Sequence, residues 1–259
     1  VKGTQPNIPH FDAHQNKFKD IDSITERWAN PAKIFCKGEI INTFQEKLLA
    51  GYISAPFILI THNSYQNIGQ EYLPVLEHPL LIRWYAQNPL ITHPKLTLLP
   101  IGQANSCYKH GDARVISHTI NLRPLKTKDY YFFFNIWTNK AARELCRDTL
   151  LNKGLVFGEP QPYAQYIQEL ASARFAICPD GNGADSHRIW EALYLGTVPI
   201  VLSNSFTVQI KAAGLPIVLL EKWEDLETAT ATAFQPIVFD YMLLLDKLRK
   251  YNTILLNVI

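Results

Sequence analysis

Ser172-Ala-Arg-Phe-Ala-Ile-Cys-Pro-Asp-Gly-Asn-Gly-Ala-Asp-Ser-His-Arg-Ile-Trp-Glu-Ala-Leu-Tyr-Leu-Gly-Thr-Val-Pro-Ile-Val-Leu202 reads as one βαβ unit. Phe175–Cys178 is an apolar run bounded by Pro179, short enough for a buried strand. A turn with Gly181 and Gly183 follows, and both glycines permit a positive φ and a close ligand approach. Ser186–Leu195 has helical spacing, with Asp185 or Ser186 available as its cap. Gly196 ends the helix and Val198–Leu202 is a second buried strand. A helix starting just after such a turn points free N–H groups and its positive dipole end into it, which is a ready anion site. His187 and Arg188 in the first turn add donors and charge. Glu191, one turn on, can reach a ligand's sugar hydroxyls.

The same rhythm extends in both directions. Upstream of the quoted stretch, strand-like runs fall at Lys33–Cys36, Phe57–Thr61, Lys95–Pro100 and Tyr130–Phe134. Helical patterns fall at Glu39–Ala50, Tyr72–Glu77, Pro79–Ala86, Lys140–Leu151 and Gln161–Leu170. Downstream come Phe206–Ala212, Ile217–Leu220, Glu224–Ala233 and a last helix near Phe239–Asn252. The opening to about Asn30 is polar, an arm with one short helix at Ser23–Trp28. Strands alternating with helices indicate an α/β protein with parallel sheets. The two series are separated by a loop-rich stretch from Gly102 to Lys128. They predict two small Rossmann-like domains, 1–115 and 116–259, with the last helix packing back on the first.

Composition narrows the function. The chain has 259 residues, 47% of them hydrophobic, and carries a formal charge of +2. That length is enough for two domains of roughly 110 to 140 residues, each with its own core. A near-neutral balance removes the electrostatic case for a nucleic-acid binder. The four cysteines, Cys36, Cys107, Cys146 and Cys178, stand far apart without a CxxC, as reduced core thiols do. No apolar run is long enough to span a bilayer. With no signal peptide at the head and a first residue Val1, the expectation is a cytoplasmic protein or a domain from which a leader or anchor has been cut. The eight histidines show no HExxH or His-x-His spacing, so no metal site is expected. Neither a GxGxxG fingerprint, a Walker loop nor a Gly-x-Ser-x-Gly elbow occurs. Among the aromatic residues, Trp137 and Trp84 are candidates for a sugar platform.

The stretch resembles the C-terminal signature of exostosin-like glycosyltransferases. The matching residues are Tyr166, Ser172, Phe175, Pro179, Gly181, Ser186, Arg188, Glu191-Ala192-Leu193, Gly196, Pro199 and Ser203-Asn204. The likeness runs from Tyr163 to Phe206; the N-terminal half matches only in rhythm. Many members carry Arg where this chain has Asp180, which leaves the donor and its pyrophosphate contacts open. The resemblance implies two facing Rossmann-like domains of the GT-B arrangement with a cleft between them. It also implies inverting transfer from a nucleotide sugar without a metal or other cofactor.

On that reading the donor is a UDP-sugar, with a lean to UDP-xylose, and the acceptor is a hydroxyl of a glycan or glycoprotein. Arg188, His187 and the amides from Asp185 and Ser186 onward meet the leaving diphosphate, and Glu191 holds ribose hydroxyls. Pro179, Gly181, Asn182 and Gly183 form the turn around it. Asn135, Thr138 and Lys140, in the first βα turn of the second domain, form a second donor set. His62, just past the Phe57–Thr61 strand, is the candidate base, with Glu71, Asp112, Asp12 and His14 as competitors. Three other readings compete: a GDP-fucose-dependent fucosyltransferase-like enzyme, a non-catalytic carbohydrate- or nucleotide-binding module, and an epimerase or phosphorylase on the same fold.

Overall fold

The computed structural model describes residues 11–12, 17–18, 32–104, 108 and 110–226. The arm helix at 23–28, the helix at 239–252 with its proposed packing, Cys107 and His14 lie outside the described residues, as does most of Glu224–Ala233. The fold is α/β, with two four-stranded parallel sheets. Described residues up to Pro100 form one compact unit, and those from Ile101 onward form a second.

In the first unit a two-residue antiparallel pair, β1 (Phe11–Asp12) and β2 (Lys17–Phe18), precedes the sheet β3 (Ala32–Lys37), β4 (Phe57–His62), β5 (Leu81–Ala86) and β6 (Leu96–Leu98). The four sheet strands pair in sequence order. Helix α1 (Ile41–Leu49) follows a 3-10 turn at Gly38–Ile40 and buries Ile41, Phe44 and Leu48 on the sheet. That face joins Phe57, Leu59, Trp84 and Ala86 in one core. A short 3-10 turn and α2 (Leu73–Leu76) connect β4 to β5.

The segment expected as a helix at Pro79–Ala86 is the strand β5. Leu81, Trp84 and Ala86 are buried while Ile82 and Arg83 are exposed, and the strand is paired on both sides. A register shift at Phe57/Ile58 breaks the period-2 alternation, so the run imitates helical spacing.

The second sheet has the order β7 (Lys128–Tyr131), β8 (Ala173–Ile177), β9 (Val198–Leu202) and β10 (Val218–Leu220). The stretch expected as loop from Gly102 to Lys128 contains helix α3 (Ala113–Leu122). Asp112 caps it, its carboxylate accepting from the Arg114 N–H at 3.0 Å, and Ile116 and Thr119 are buried. The aromatic run at 130–134 pairs only as far as Tyr131. Phe132 and Phe134 are nevertheless buried, forming a core with Cys146, Leu150 and Ile200.

Four helices complete the unit: α4 (Lys140–Asn152), α5 (Tyr163–Ala171), α6 (His187–Tyr194) and α7 (Ser205–Ala212). Lys126 pins the far ends of α5 and α6. Its ammonium donates to Ala171 O at 2.8 Å, Leu195 O at 3.2 Å and Thr197 Oγ1 at 2.9 Å, which uses all three of its protons. Cys36, Cys146 and Cys178 are free and buried. Among the described residues no helix is long and apolar enough to cross a membrane.

Candidate functional site

The turns after β7 and β8 lie at the carboxyl edge of the second sheet, where open α/β sheets receive ligands. The strand–turn–helix of the βαβ unit forms as its residues dictate. Gly196 takes φ 67°, a left-handed value that ends α6 and lets Thr197 N–H donate back to Ala192 O at 2.9 Å. Gly181 does not use its freedom in this way; among the described residues the positive-φ glycines are Gly51, Gly102, Gly154, Gly196 and Gly214. A Cβ on Gly181 would sit 3.6 Å from Arg143 Nη2, in ordinary contact.

The expected cap of α6 is not made. Ser186 holds the N-cap position without a side-chain bond, and its Oγ is buried with no hydrogen-bond partner. Asp185 is spent elsewhere: Oδ1 accepts from Trp190 Nε1 and Oδ2 from Ile101 N–H, each at 2.6 Å. Burial pushes its carboxyl up to about 7, against those two bonds. With no side chain across it, the first turn of α6 is left to whatever occupies the turn before it.

Two guanidinium groups flank this turn. Arg188, half-buried in the first turn of α6, donates to Phe133 O, and its guanidinium carbon lies 5.5 Å from the centre of the Tyr166 ring. Arg143, buried on α4, donates from Nε to Asp180 O at 2.9 Å and from Nη1 to Asn135 O at 2.5 Å. It therefore ties the turn after β7 to the turn after β8. Burial, and then the charge of Arg188, lowers its pKa to about 10. Burial raises Asp180 to about 6, with Arg143 pulling the other way.

Glu191, 5% exposed on the next turn of α6, accepts from Tyr166 Oη at 2.5 Å and from Tyr163 Oη at 3.4 Å. The Tyr131 hydroxyl is buried without a hydrogen-bond partner, and burial pushes it up to about 12. His187 Nδ1 donates to Gly102 O at 2.7 Å, which fixes its tautomer and leaves Nε2 as the other ring nitrogen.

The remaining expected residues are more dispersed in exposure. Pro179 is buried, Asn182 is exposed, and Gly183 is half-buried with its carbonyl accepting from Gly181 N–H at 3.0 Å. Asn135 is exposed, and its Oδ1 accepts from Trp137 N–H at 2.8 Å. Thr138 is half-buried, and exposed Lys140 pairs with Glu144 at 3.8 Å. Trp137 is 84% exposed, whereas Trp84 is fully buried with its Nε1 donating to Thr61 Oγ1, so Trp84 is core and not a platform.

In the first unit, His62 ends β4. Its Nε2 donates to Pro100 O at 3.1 Å, and its Nδ1 lies 3.1 Å from Asn63 Oδ1. Glu71 is exposed in the same unit. Asp112 lies in the second unit, where Arg114 holds its carboxyl down to about 2. Among the described residues no three His, Cys, Asp or Glu side chains converge as a metal site would require.

The order of these parts is shared with known proteins. Residues 112–210 match the family model described as the Exostosin GT47 domain. This part of the chain is thus similar to an exostosin-like glycosyltransferase domain. No curated protein sequence matches the chain. The matched span begins at the Asp112 cap and closes in α7, so it contains the β7 and β8 turns and helices α4 to α6, but not Ile101 and Gly102, which hold Asp185 and His187. The matched span also holds residues that sequence reasoning passed over. Arg143 is the chief of them. Its signal was its place on the buried face of α4 with Cys146 and Leu150, at i+3 and i+7. Tyr163 and Tyr131 were overlooked as site residues too, one beside Glu191 and the other beside the Tyr166 ring.

Proposed function

We propose that this protein is an inverting glycosyltransferase that moves a sugar from a UDP-sugar to a glycan hydroxyl without a bound metal. UDP-xylose is the first donor to try. Inversion requires the acceptor hydroxyl to lose its proton while a nucleoside diphosphate leaves with growing negative charge. On this reading the second unit is the donor side and the first unit the acceptor side.

The observation that carries the proposal is the pairing of Arg143 and Arg188 at the edges of one Gly-bearing turn, beside an uncapped helix start. Arg188 uses one of its five donors on Phe133 O and keeps capacity for phosphate oxygens. Arg143 holds the two turns at a fixed spacing, and its charge adds to the field at the leaving group. Nε2 of His187 and the first amides of α6 supply further contacts, and Glu191 receives the ribose. Asn135, Thr138 and Lys140 lie on the opposite turn. On the acceptor side, His62 serves as base through Nδ1 once the Asn63 side chain yields it.

Calorimetric titration with UDP, GDP and CDP, in EDTA and in magnesium, tests the donor site on wild type and Arg188→Ala. Binding of UDP in EDTA, weakened roughly tenfold to a hundredfold in the variant, supports the proposal. A preference for GDP moves the reading to a fucosyltransferase-like donor. No binding of any diphosphate refutes it.

A further inference from the structure

The two oxygens of Glu191 are held unequally. Tyr166 donates to Oε2 at 2.5 Å, whereas Tyr163 donates to Oε1 at only 3.4 Å. A carboxylate offers about four lone-pair sites, so these bonds leave acceptor capacity on both oxygens. The longer bond is one that a ligand hydroxyl can replace with little loss.

The hydroxyl of Tyr166 is anchored by a ring that is itself packed. Tyr131 lies 5.6 Å from that ring and Tyr163 lies 6.0 Å from it, while the Arg188 guanidinium carbon sits 5.5 Å from its centre. One side chain on α5 thus orients both an anion and a cation on α6. Tyr163, half-buried at the start of α5, packs on the Tyr166 ring as well, but its hydroxyl reaches Glu191 only at 3.4 Å.

We infer that Tyr166 is a positioning residue that aims the Glu191 carboxylate at a cis-diol, the ribose of a nucleoside diphosphate, and that Tyr163 is the exchangeable partner displaced from Oε1 by the incoming hydroxyl. A cis-diol presents two donors spaced to meet both oxygens of one carboxylate, which needs that carboxylate held at a fixed angle. The inference rests on the nucleotide-site reading above and adds which residue makes that site selective for ribose.

The test is calorimetric titration of wild type, Tyr166→Phe and Tyr163→Phe with UDP against 2′-deoxy-UDP, and GDP against 2′-deoxy-GDP in parallel. Wild type is expected to prefer the ribonucleotide by about tenfold. Tyr166→Phe should bring that preference to within about twofold by weakening the ribonucleotide far more than the deoxynucleotide, which has only its 3′-hydroxyl to lose from the carboxylate. Tyr163→Phe should keep the preference or raise it. Equal weakening of both nucleotides by Tyr166→Phe, an unchanged preference in it, or loss of the preference in Tyr163→Phe overturns the inference. Thermal melting checks that each variant folds; if Tyr166→Phe does not, the Tyr163→Phe result decides. If wild type binds neither ribonucleotide, the nucleotide-site reading fails and the inference falls with it. If wild type binds and the variants depart from expectation, only the inference falls.

Discussion

The carboxyl edges of the two parallel sheets are built from the same strand–helix grammar and filled with different chemistry. At the end of β4 and β5 the buried polar side chains are Thr61, Gln87 and Asn88, all neutral. Thr61 Oγ1 accepts from Trp84 Nε1 at 2.8 Å, Gln87 Oε1 from Ser64 N–H at 3.4 Å, and Asn88 Nδ2 donates to Ser64 O at 3.3 Å. In the second unit the buried polar set includes Arg143, Asp185 and Glu191. Neutral groups that satisfy each other hold loops in place at modest cost. Buried charges require partners or a ligand and are retained where chemistry needs them. Among the described residues the second unit therefore carries the buried carboxyl and guanidinium groups, and the buried polar set at the edge of the first is neutral.

The largest expected effect comes from removing one charge from the second unit's edge. Arg143→Met would leave Asp180 O and Asn135 O without their donor and Asp180 without its cation. The expected destabilisation of the second unit is about 3 kcal/mol, with the first unit unaffected. The counterpart in the neutral edge is Trp84→Phe, which strands the buried Thr61 hydroxyl and leaves a small void, at about 2 kcal/mol in the first unit alone. Denaturation followed by hydrogen exchange resolves the two units separately. Equal losses in both units from either change would erase the contrast between them.

Sequence reasoning reached the second unit's edge more surely than the first's. From β8 to β9 every element boundary is punctuated: Pro179 after the strand, Gly196 at φ 67° after the helix, and unbroken apolar runs where both faces of the sheet are covered. β5 lacks such punctuation, since its register shift scrambles the alternation that marks a strand. Helix α3 carried a legible cap in Asp112 but sits among turn-forming residues that mask it. In the candidate site, Arg188 and Glu191 could be singled out because motif and helix position coincide. Arg143 could not, because its placement rests on two carbonyls from distant loops, and spacing drew attention instead to Lys140, which is exposed and paired with Glu144. Long-range hydrogen bonds leave no local period to read.

Asp185 sharpens the comparison by pH. Burial raises its carboxyl to about 7, from an ordinary value near 3.8. The folded state then holds a proton that the unfolded chain has released, so its contribution is full below about pH 4. That contribution falls as pH rises toward 7, by up to about 1.4 kcal/mol per unit. The free-energy gap separating wild type from Asp185→Asn, measured by urea unfolding at pH 5 and pH 7, should therefore shrink at the higher pH. The lost bond to Ile101 or Trp190 adds only a constant offset. A gap that widens instead would show that those two donors at 2.6 Å outweigh burial and that the carboxylate form is the stabilising one.

The smallest expected effect on stability separates structural from ligand constraint in the turn itself. Gly181 lies outside the left-handed region, and a Cβ there would meet Arg143 Nη2 at 3.6 Å, Gly183 O at 3.7 Å and Ser186 Cβ at 3.9 Å, all ordinary contacts. Gly181→Ala should leave the unfolding free energy within about 0.5 kcal/mol of wild type, since Ala fits and even loses less backbone entropy on folding. Nothing in the folded chain then explains a glycine at this position. On the function proposed above, a diphosphate lying close over the turn would meet the added methyl. Nucleotide affinity that drops in Gly181→Ala while the melting curve holds would place the diphosphate against this backbone. Unchanged affinity would move it toward Arg188 and the opposite turn at Asn135.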